Sequence, residues 1–211
     1  MIYDFFRWAA IISAYPLQWL FFKRKTFYED KSAQSLRIKG GALVISNHFS
    51  AWDFVLNLFA VLPRKLHIVS SEHPYRNRFL AWGMRFFGGI QADRTTKSMR
   101  FIDDSVTILE RGGLVQIFPE GRNTDDGEVG EFRPTYLMIA CRAGVPIVPI
   151  VTDGQYGFFK RTHILVGRAI DIRELCPSDR PTREELMVVN EVIHAKVVEM
   201  KAELGRLTEK A

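Results

Sequence analysis

Apolar and polar positions alternate along this chain in two periods. Ser35-Leu36-Arg37-Ile38-Lys39 switches polar and apolar at every step, Gly40-Gly41 follows, and Ala42-Leu43-Val44-Ile45 is an apolar run. That pattern predicts a β-hairpin with a two-residue turn. A helix is expected from about Asp53 to Val61, ended by Pro63, and Leu66-His67-Ile68-Val69 makes a short strand. Residues 76 to 87 have helical period, with Phe79, Leu80, Met84 and Phe87 on one side and Gly88-Gly89 as the stop. A further helix is expected over 97 to 110, with Ile102, Val106 and Leu109 facing inward and Gly112-Gly113 closing it. Leu114 to Phe118 reads as a strand ended by Pro119.

Residues 135 to 143 form another helix, stopped by Gly144. Val145 to Val151 is apolar and β-branched, but Pro146 and Pro149 cannot donate ladder hydrogen bonds, so an edge or irregular strand is expected. His163-Ile164-Leu165-Val166 adds a strand. Thr182-Arg183-Glu184-Glu185 is a capping-box pattern, and Leu186, Val189, Ile193, Val197, Met200 and Leu204 then recur at helical spacing. Strands alternating with helices predict an α/β fold: a single domain over residues 26–211 with a mixed, mostly parallel sheet covered by helices on both faces.

The amino terminus differs. Trp8 to Phe22 carries no charge and is rich in aromatics, yet fifteen residues fall short of the roughly 20 needed to span a bilayer. Arg7 and Lys23-Arg24-Lys25 bracket the run, and no small-residue cleavage site follows. Residues 1–25 are therefore expected to be a helical segment lying in a membrane interface, with the basic triplet against anionic lipid. A buried amphipathic helix is the plainer alternative. The 211 residues hold 47% apolar and 25% charged side chains, a globular composition, and the formal charge is +5. That balance is modest for nucleic acid, which is not expected as a partner, and suits an anionic lipid surface or a phosphorylated substrate. Cys141 and Cys176 form no framework and are read as packing thiols in a reducing compartment.

The candidate chemistry sits in Asn47-His48-Phe49-Ser50-Ala51-Trp52-Asp53, just beyond an apolar strand. A histidine steered by a carboxylate is a general base near neutral pH. Five residues of regular helix turn the chain through about 140°, so the pair meets only if His48 lies in a turn and Asp53 in the first turns of a helix. Asn47 or Ser50 is placed to cap that helix. His67, His73, His163 and His194 have no supporting pattern, no histidines are paired at ligand spacing, and no metal is expected.

Three further segments stand in order: Gly88-Gly89-Ile90-Gln91-Ala92-Asp93-Arg94, Phe118-Pro119-Glu120-Gly121-Arg122, and Val145-Pro146-Ile147. With Asn-His-x-x-x-x-Asp they resemble the glycerolipid acyltransferase family, the lysophosphatidate type in particular, from about residue 40 to residue 152. The resemblance implies that His48 is the general base toward an acceptor hydroxyl and that Asp53 holds its imidazole. It implies that Arg94 grips the acceptor phosphate, that Glu120 and Gly121 form the acceptor-binding turn, and that Pro146 shapes the pocket wall. Arg122 is either a second phosphate contact or an ion-pair partner of Glu120. Glu120 has a plainer reading too, as an acceptor for nearby backbone donors.

The implied partners are a lysophospholipid, most simply 1-acyl-sn-glycerol 3-phosphate, an acyl thioester of coenzyme A or of acyl carrier protein, and the cytoplasmic face of a membrane. No cofactor is implied, since a thioester is already activated and an alcohol attacks it directly. This chain departs from the family at Arg122-Asn123, where threonine is frequent, and at Phe132-Arg133-Pro134-Thr135, where a glycine is missing. Those changes weaken the transfer of acceptor preference but not of reaction type, so a different lysolipid or amino-acid lipid acceptor is a competing reading. A non-catalytic lipid-binding relative, which the intact His48 and Asp53 speak against, and a thioester hydrolase are the others.

Overall fold

Ala42 to Ser46 is buried at every position, and both edges of this strand are occupied. It forms the centre of a seven-stranded sheet in a computed structural model that describes residues 2–92, 99–124, 127–177 and 181–210, with side chains from Phe6 onward. The elements in chain order are α1 (Ile2–Phe22), β1 (Lys25–Tyr28), β2 (Ala42–Ser46), α2 (Trp52–Ala60), β3 (Leu66–Ser71), α3 (His73–Arg76) and α4 (Arg78–Phe86). They continue with β4 (Ile90–Ala92), α5 (Arg100–Glu110), β5 (Leu114–Ile117), α6 (Thr135–Ala143), β6 (Ile147–Thr152), β7 (His163–Val166), α7 (Ile172–Leu175) and α8 (Arg183–Glu209). The strand order is β1-β7-β6-β2-β5-β3-β4. All pairings are parallel except β6 with β7.

Period two explains the two layers. Leu43, Ile45, Val115 and Ile147 point into one core with Ile102 and Leu109 of α5, Leu137 of α6 and Ile193 of α8. Ala42, Val44, Leu114 and Ile150 point into the other, against Leu56 and Ala60 of α2 and Phe22 of α1. Each fully buried aliphatic side chain contributes about 1.5–3 kcal/mol, so a strand lined on both faces tolerates a continuous apolar run. The Thr182–Glu185 capping box is formed, and the apolar stripe of α8 is buried as its spacing predicts. Gly144 stops α6 at φ 60, in the left-handed region open to glycine.

Three expectations are corrected. Residues 35–39 form no strand and no hairpin with Ala42 to Ile45, because β5 and β6 already flank β2 on both sides. The segment is instead tied down by the Arg64 guanidinium, which donates to the carbonyls of Ile38, Gly40 and Gly112. The run after Val145 is an interior strand between β7 and β2. Pro149 is tolerated because the β6–β7 ladder ends at Ile150–Val166, and beside it Gly167 N–H donates to Pro149 O at 2.9 Å. Only the reciprocal bond is missing. The helix expected over 76–87 is broken at extended Asn77, whose Oδ1 accepts from Phe79 and Leu80 N–H to start α4.

α1 packs on α2 through Ile11, which meets Leu58 and Phe59, while Phe22 is buried in the sheet core. Much of its remaining apolar surface is exposed, including Trp19 at 65% and Ile12 at 67%. No helix among the described residues is long and apolar enough to cross a membrane. The basic triplet after α1 is not a free patch. Lys25 lies over the Phe27 ring, and Arg24 Nη1 is shut off from solvent.

Candidate active site

The chain leaves β2 at Ser46 and is pinned at each of the next two residues. Buried Asn47 pairs with the Thr152 backbone in both directions, accepting its N–H at 2.9 Å and donating to its carbonyl at 3.0 Å. This ties the end of β2 to the end of β6. His48 N–H donates to Glu120 Oε1 at 3.1 Å, and His48 O accepts from Thr124 N–H at 2.9 Å. The histidine backbone is thereby clamped to the loop after β5.

Asp53 is the second residue of α2 and is fully buried. Its Oδ2 accepts from Phe49 N–H at 2.7 Å, from Ser50 N–H at 2.8 Å and from His48 Nδ1 at 2.9 Å. Its Oδ1 accepts from the Tyr156 hydroxyl. A buried carboxylate is expensive unless its lone pairs are filled, and here four donors fill them. Burial, with the Asp53 charge beside it, pushes the Tyr156 phenol upward, so it remains a donor at neutral pH. Neither Asn47 nor Ser50 is the N-cap of α2. That residue is Ala51, while Ser50 Oγ accepts from Trp52 N–H.

The imidazole is fixed in orientation. A carboxylate can only accept, so the hydrogen-bond network assigns the proton to Nδ1 and leaves Nε2 as the acceptor. The ring lies on Phe118 with centroids 3.9 Å apart and planes 11° from parallel. The side chain is 19% exposed, and it borders a cavity of about 1020 Å³. The walls are apolar: Phe54 and Val55 of α2, Ile68 of β3, Leu80 and Met84 of α4, and Phe87 just after it. Phe79, 88% exposed, stands at its edge. Arg122 and Arg133, both exposed, line the same cavity and supply positive charge to it. The space suits a lipid-sized ligand with a charged end.

The other residues singled out from sequence divide. Gly121 lines the cavity at φ 65, closing a turn in which its N–H donates to Phe118 O. Glu120 is buried and faces away from the cavity: its oxygens accept from His48 and Gly130 N–H. It holds the loop, and burial raises its pKa against those hydrogen bonds. Arg122 forms no ion pair with it among the described residues. Pro146 does not reach the cavity. It precedes β6, its carbonyl accepts from Leu43 N–H, and at least about 10 Å of parallel strand separates that end of the sheet from His48. Arg94 lies outside the described residues. Three contributors were not read from sequence: Tyr156, Phe118 as the stacking partner, and Arg133 as a cavity residue. Tyr156 carries no local signal, since it is 103 residues from Asp53. No group of three or more His, Cys, Asp or Glu among the described residues is placed to hold a metal ion.

The chain is similar to known proteins in sequence and in fold. A family model described as Acyltransferase matches residues 19–153, more than half of the chain. The chain is 28% identical over 139 residues to a 1-acyl-sn-glycerol-3-phosphate acyltransferase of Pseudomonas aeruginosa, covering 61% of this chain and 51% of that protein. It is 27% identical over 115 residues to a chloroplastic 1-acyl-sn-glycerol-3-phosphate acyltransferase of Arabidopsis thaliana, covering 54% and 32%. The chain thus matches between about a third and a half of the length of these curated relatives. A crystal structure of a 1-acyl-sn-glycerophosphate acyltransferase from Thermotoga maritima superposes with a TM-score of 0.62, covering 90% of this chain and 74% of that one. At 20% identity that likeness speaks for the fold.

Proposed function

The chain belongs to the acyltransferase family, and from that premise we propose that it moves an acyl chain from a thioester to the free hydroxyl of a lysophospholipid. The acceptor in this reading is 1-acyl-sn-glycerol 3-phosphate and the product phosphatidate. Coenzyme A and acyl carrier protein both serve the chemistry as thiol carriers.

The observation that carries the reading is the Nδ1-anchored His48 on the wall of a largely apolar cavity that Arg122 and Arg133 also line. The acceptor hydroxyl gives its proton to His48 Nε2 as its oxygen attacks the thioester carbonyl. The imidazolium is stabilised by Asp53, the C–S bond breaks, and the proton passes to the leaving thiolate. Acyl carbons occupy the space between α2 and α4. The arginines hold the acceptor phosphate through paired, charge-assisted hydrogen bonds, which fixes the hydroxyl near Nε2. The exposed aromatic side of α1 lies in the interface of a membrane, at its cytoplasmic face, where both lipids are found.

The test uses purified protein, acyl-coenzyme A and lysophosphatidate, with free thiol and phosphatidate followed together. Equal release of both, lost in His48→Ala, supports the proposal. Free thiol without phosphatidate would make the protein a hydrolase, and full turnover by His48→Ala would remove the mechanism. The altered Phe132-Arg133-Pro134-Thr135 stretch, with Arg133 at the cavity, makes other phosphorylated lysolipids the second acceptor class to assay.

A further inference from the structure

Helix α4 has two lined sides. Leu80, Gly83 and Met84, with Phe87 just after the helix, wall the cavity beside His48. The opposite side, Arg78, Ala81, Trp82, Arg85 and Phe86, walls a second cavity of about 480 Å³, completed by Arg7 of α1, Lys65 ahead of β3, and Tyr75 of α3. Four of those side chains are cations, and no acid among the described residues lines the space. The Arg85 guanidinium lies 5.8 Å from the Tyr75 ring centre, and the Tyr75 hydroxyl is buried with no hydrogen-bond partner. The positive field extends beyond the walls. Burial, then Lys65 and Arg7, push His67 down to about 4.

We infer that this second cavity binds the phosphate of an anionic phospholipid headgroup, separately from the site at His48. Guanidinium forks match phosphate oxygens. The rim identifies the carrier as lipid. Trp82 is 64% exposed while stacked on Phe86 at 5.2 Å, and Phe79 and Leu80 stand exposed on the same helix. Phe6 and Ile12 of α1 are exposed as well. An indole at the mouth of a basic pocket, among uncovered apolar side chains, suits the headgroup level of a bilayer. The phosphate enters the pocket and the rim side chains meet the acyl region. A bound lipid would then brace α4, whose other side faces the larger cavity. The inference concerns binding alone and stands whether or not the chain transfers acyl groups.

The experiment is co-sedimentation of the full chain with phosphatidylcholine vesicles, with and without phosphatidylglycerol. Three proteins are compared: the wild type, Arg78→Gln/Arg85→Gln, and the control Arg111→Gln/Arg206→Gln. All four arginines are exposed, so both double variants are expected to fold, and thermal melts check this. The control removes the same charge from the residue that follows α5 and from α8, two helices that pack on the other face of the sheet. Phosphatidylglycerol should promote binding of the wild type and the control, and the Arg78/Arg85 variant should bind those vesicles roughly 30-fold more weakly. Equal loss in both double variants, or no loss in the first, would overturn the site. Soluble sources are tested by titrating inorganic phosphate and adenosine 3′,5′-bisphosphate, with the Trp82 emission isolated by comparison with Trp82→Phe. Saturation by either while vesicle binding ignores Arg78 and Arg85 would overturn the lipid assignment. Capture of an acidic carrier protein that depends on those two arginines, when vesicle binding does not, would overturn it as well.

Discussion

Asp53→Asn separates the charge of the carboxylate from its hydrogen bonds. Asp53 Oδ2 accepts from two backbone N–H groups and from His48 Nδ1, and these three donors require an oxygen at that position. The asparagine amide therefore places its oxygen there and its NH₂ toward Tyr156. The Tyr156 hydroxyl can turn to accept, giving its own proton to Thr152 Oγ1 at 3.4 Å. Geometry and tautomer survive, and the negative charge does not. With charge centres about 4 Å apart and an effective dielectric near 20, an imidazolium loses about 4 kcal/mol of attraction. At about 1.4 kcal/mol per tenfold, acyl transfer should fall on the order of 10³-fold. The three bonds to Oδ2 become neutral ones and cost about 1 kcal/mol each. The assay is kcat for phosphatidate formation beside a thermal melt, with Asp53→Ala as the control that leaves every donor unpartnered. Activity within about tenfold of wild type in a folded Asp53→Asn protein would refute the electrostatic role of this residue.

Tyr156→Phe removes the donor to Asp53 Oδ1 and leaves the Oδ2 cluster whole. Stability should fall by about 2 kcal/mol in a melt, with a catalytic loss under about tenfold. Arg122→Gln and Arg133→Gln should each raise KM for lysophosphatidate by about tenfold and leave KM for the thioester unchanged. An acceptor lacking phosphate should be indifferent to both. His67, lowered from 6.5 to about 4 by burial and by Lys65, has a pH signature. The unfolded chain takes up that proton first as pH falls. The contribution is therefore complete above pH 6.5 and is lost on the way down to about 4. It amounts to about 2 kcal/mol after allowing for solvent screening of a partly exposed ring. His67→Asn keeps a donor for Gly88 O and should flatten denaturant midpoints across that window.

What was legible in the sequence follows from one property of parallel sheets. Local signals carried the elements they should carry. Gly144 ended α6, the Thr182–Glu185 box opened α8, and the apolar stripe of α8 gave its buried face. Register between distant strands has no such local mark. The Ser35–Ile45 hairpin failed because β5 and β6, far along the chain, occupy both edges of β2, and the same crowding made an interior strand of a run holding Pro149. Tyr156 is invisible for the same reason. Yet motifs that each follow a parallel strand must converge, because parallel strands all point their carboxyl ends to one edge. His48 follows β2, Phe118 to Arg122 follow β5, and Ala92 ends β4. All three segments contribute to one cavity. Asp53 arrives with the turn after β2. Pro146 precedes its strand, so the same geometry carries it to the opposite edge, where it receives a hydrogen bond from Leu43 and does not line the cavity beside His48. Position relative to the strand, more than membership in a motif, decides which of these residues can touch a substrate.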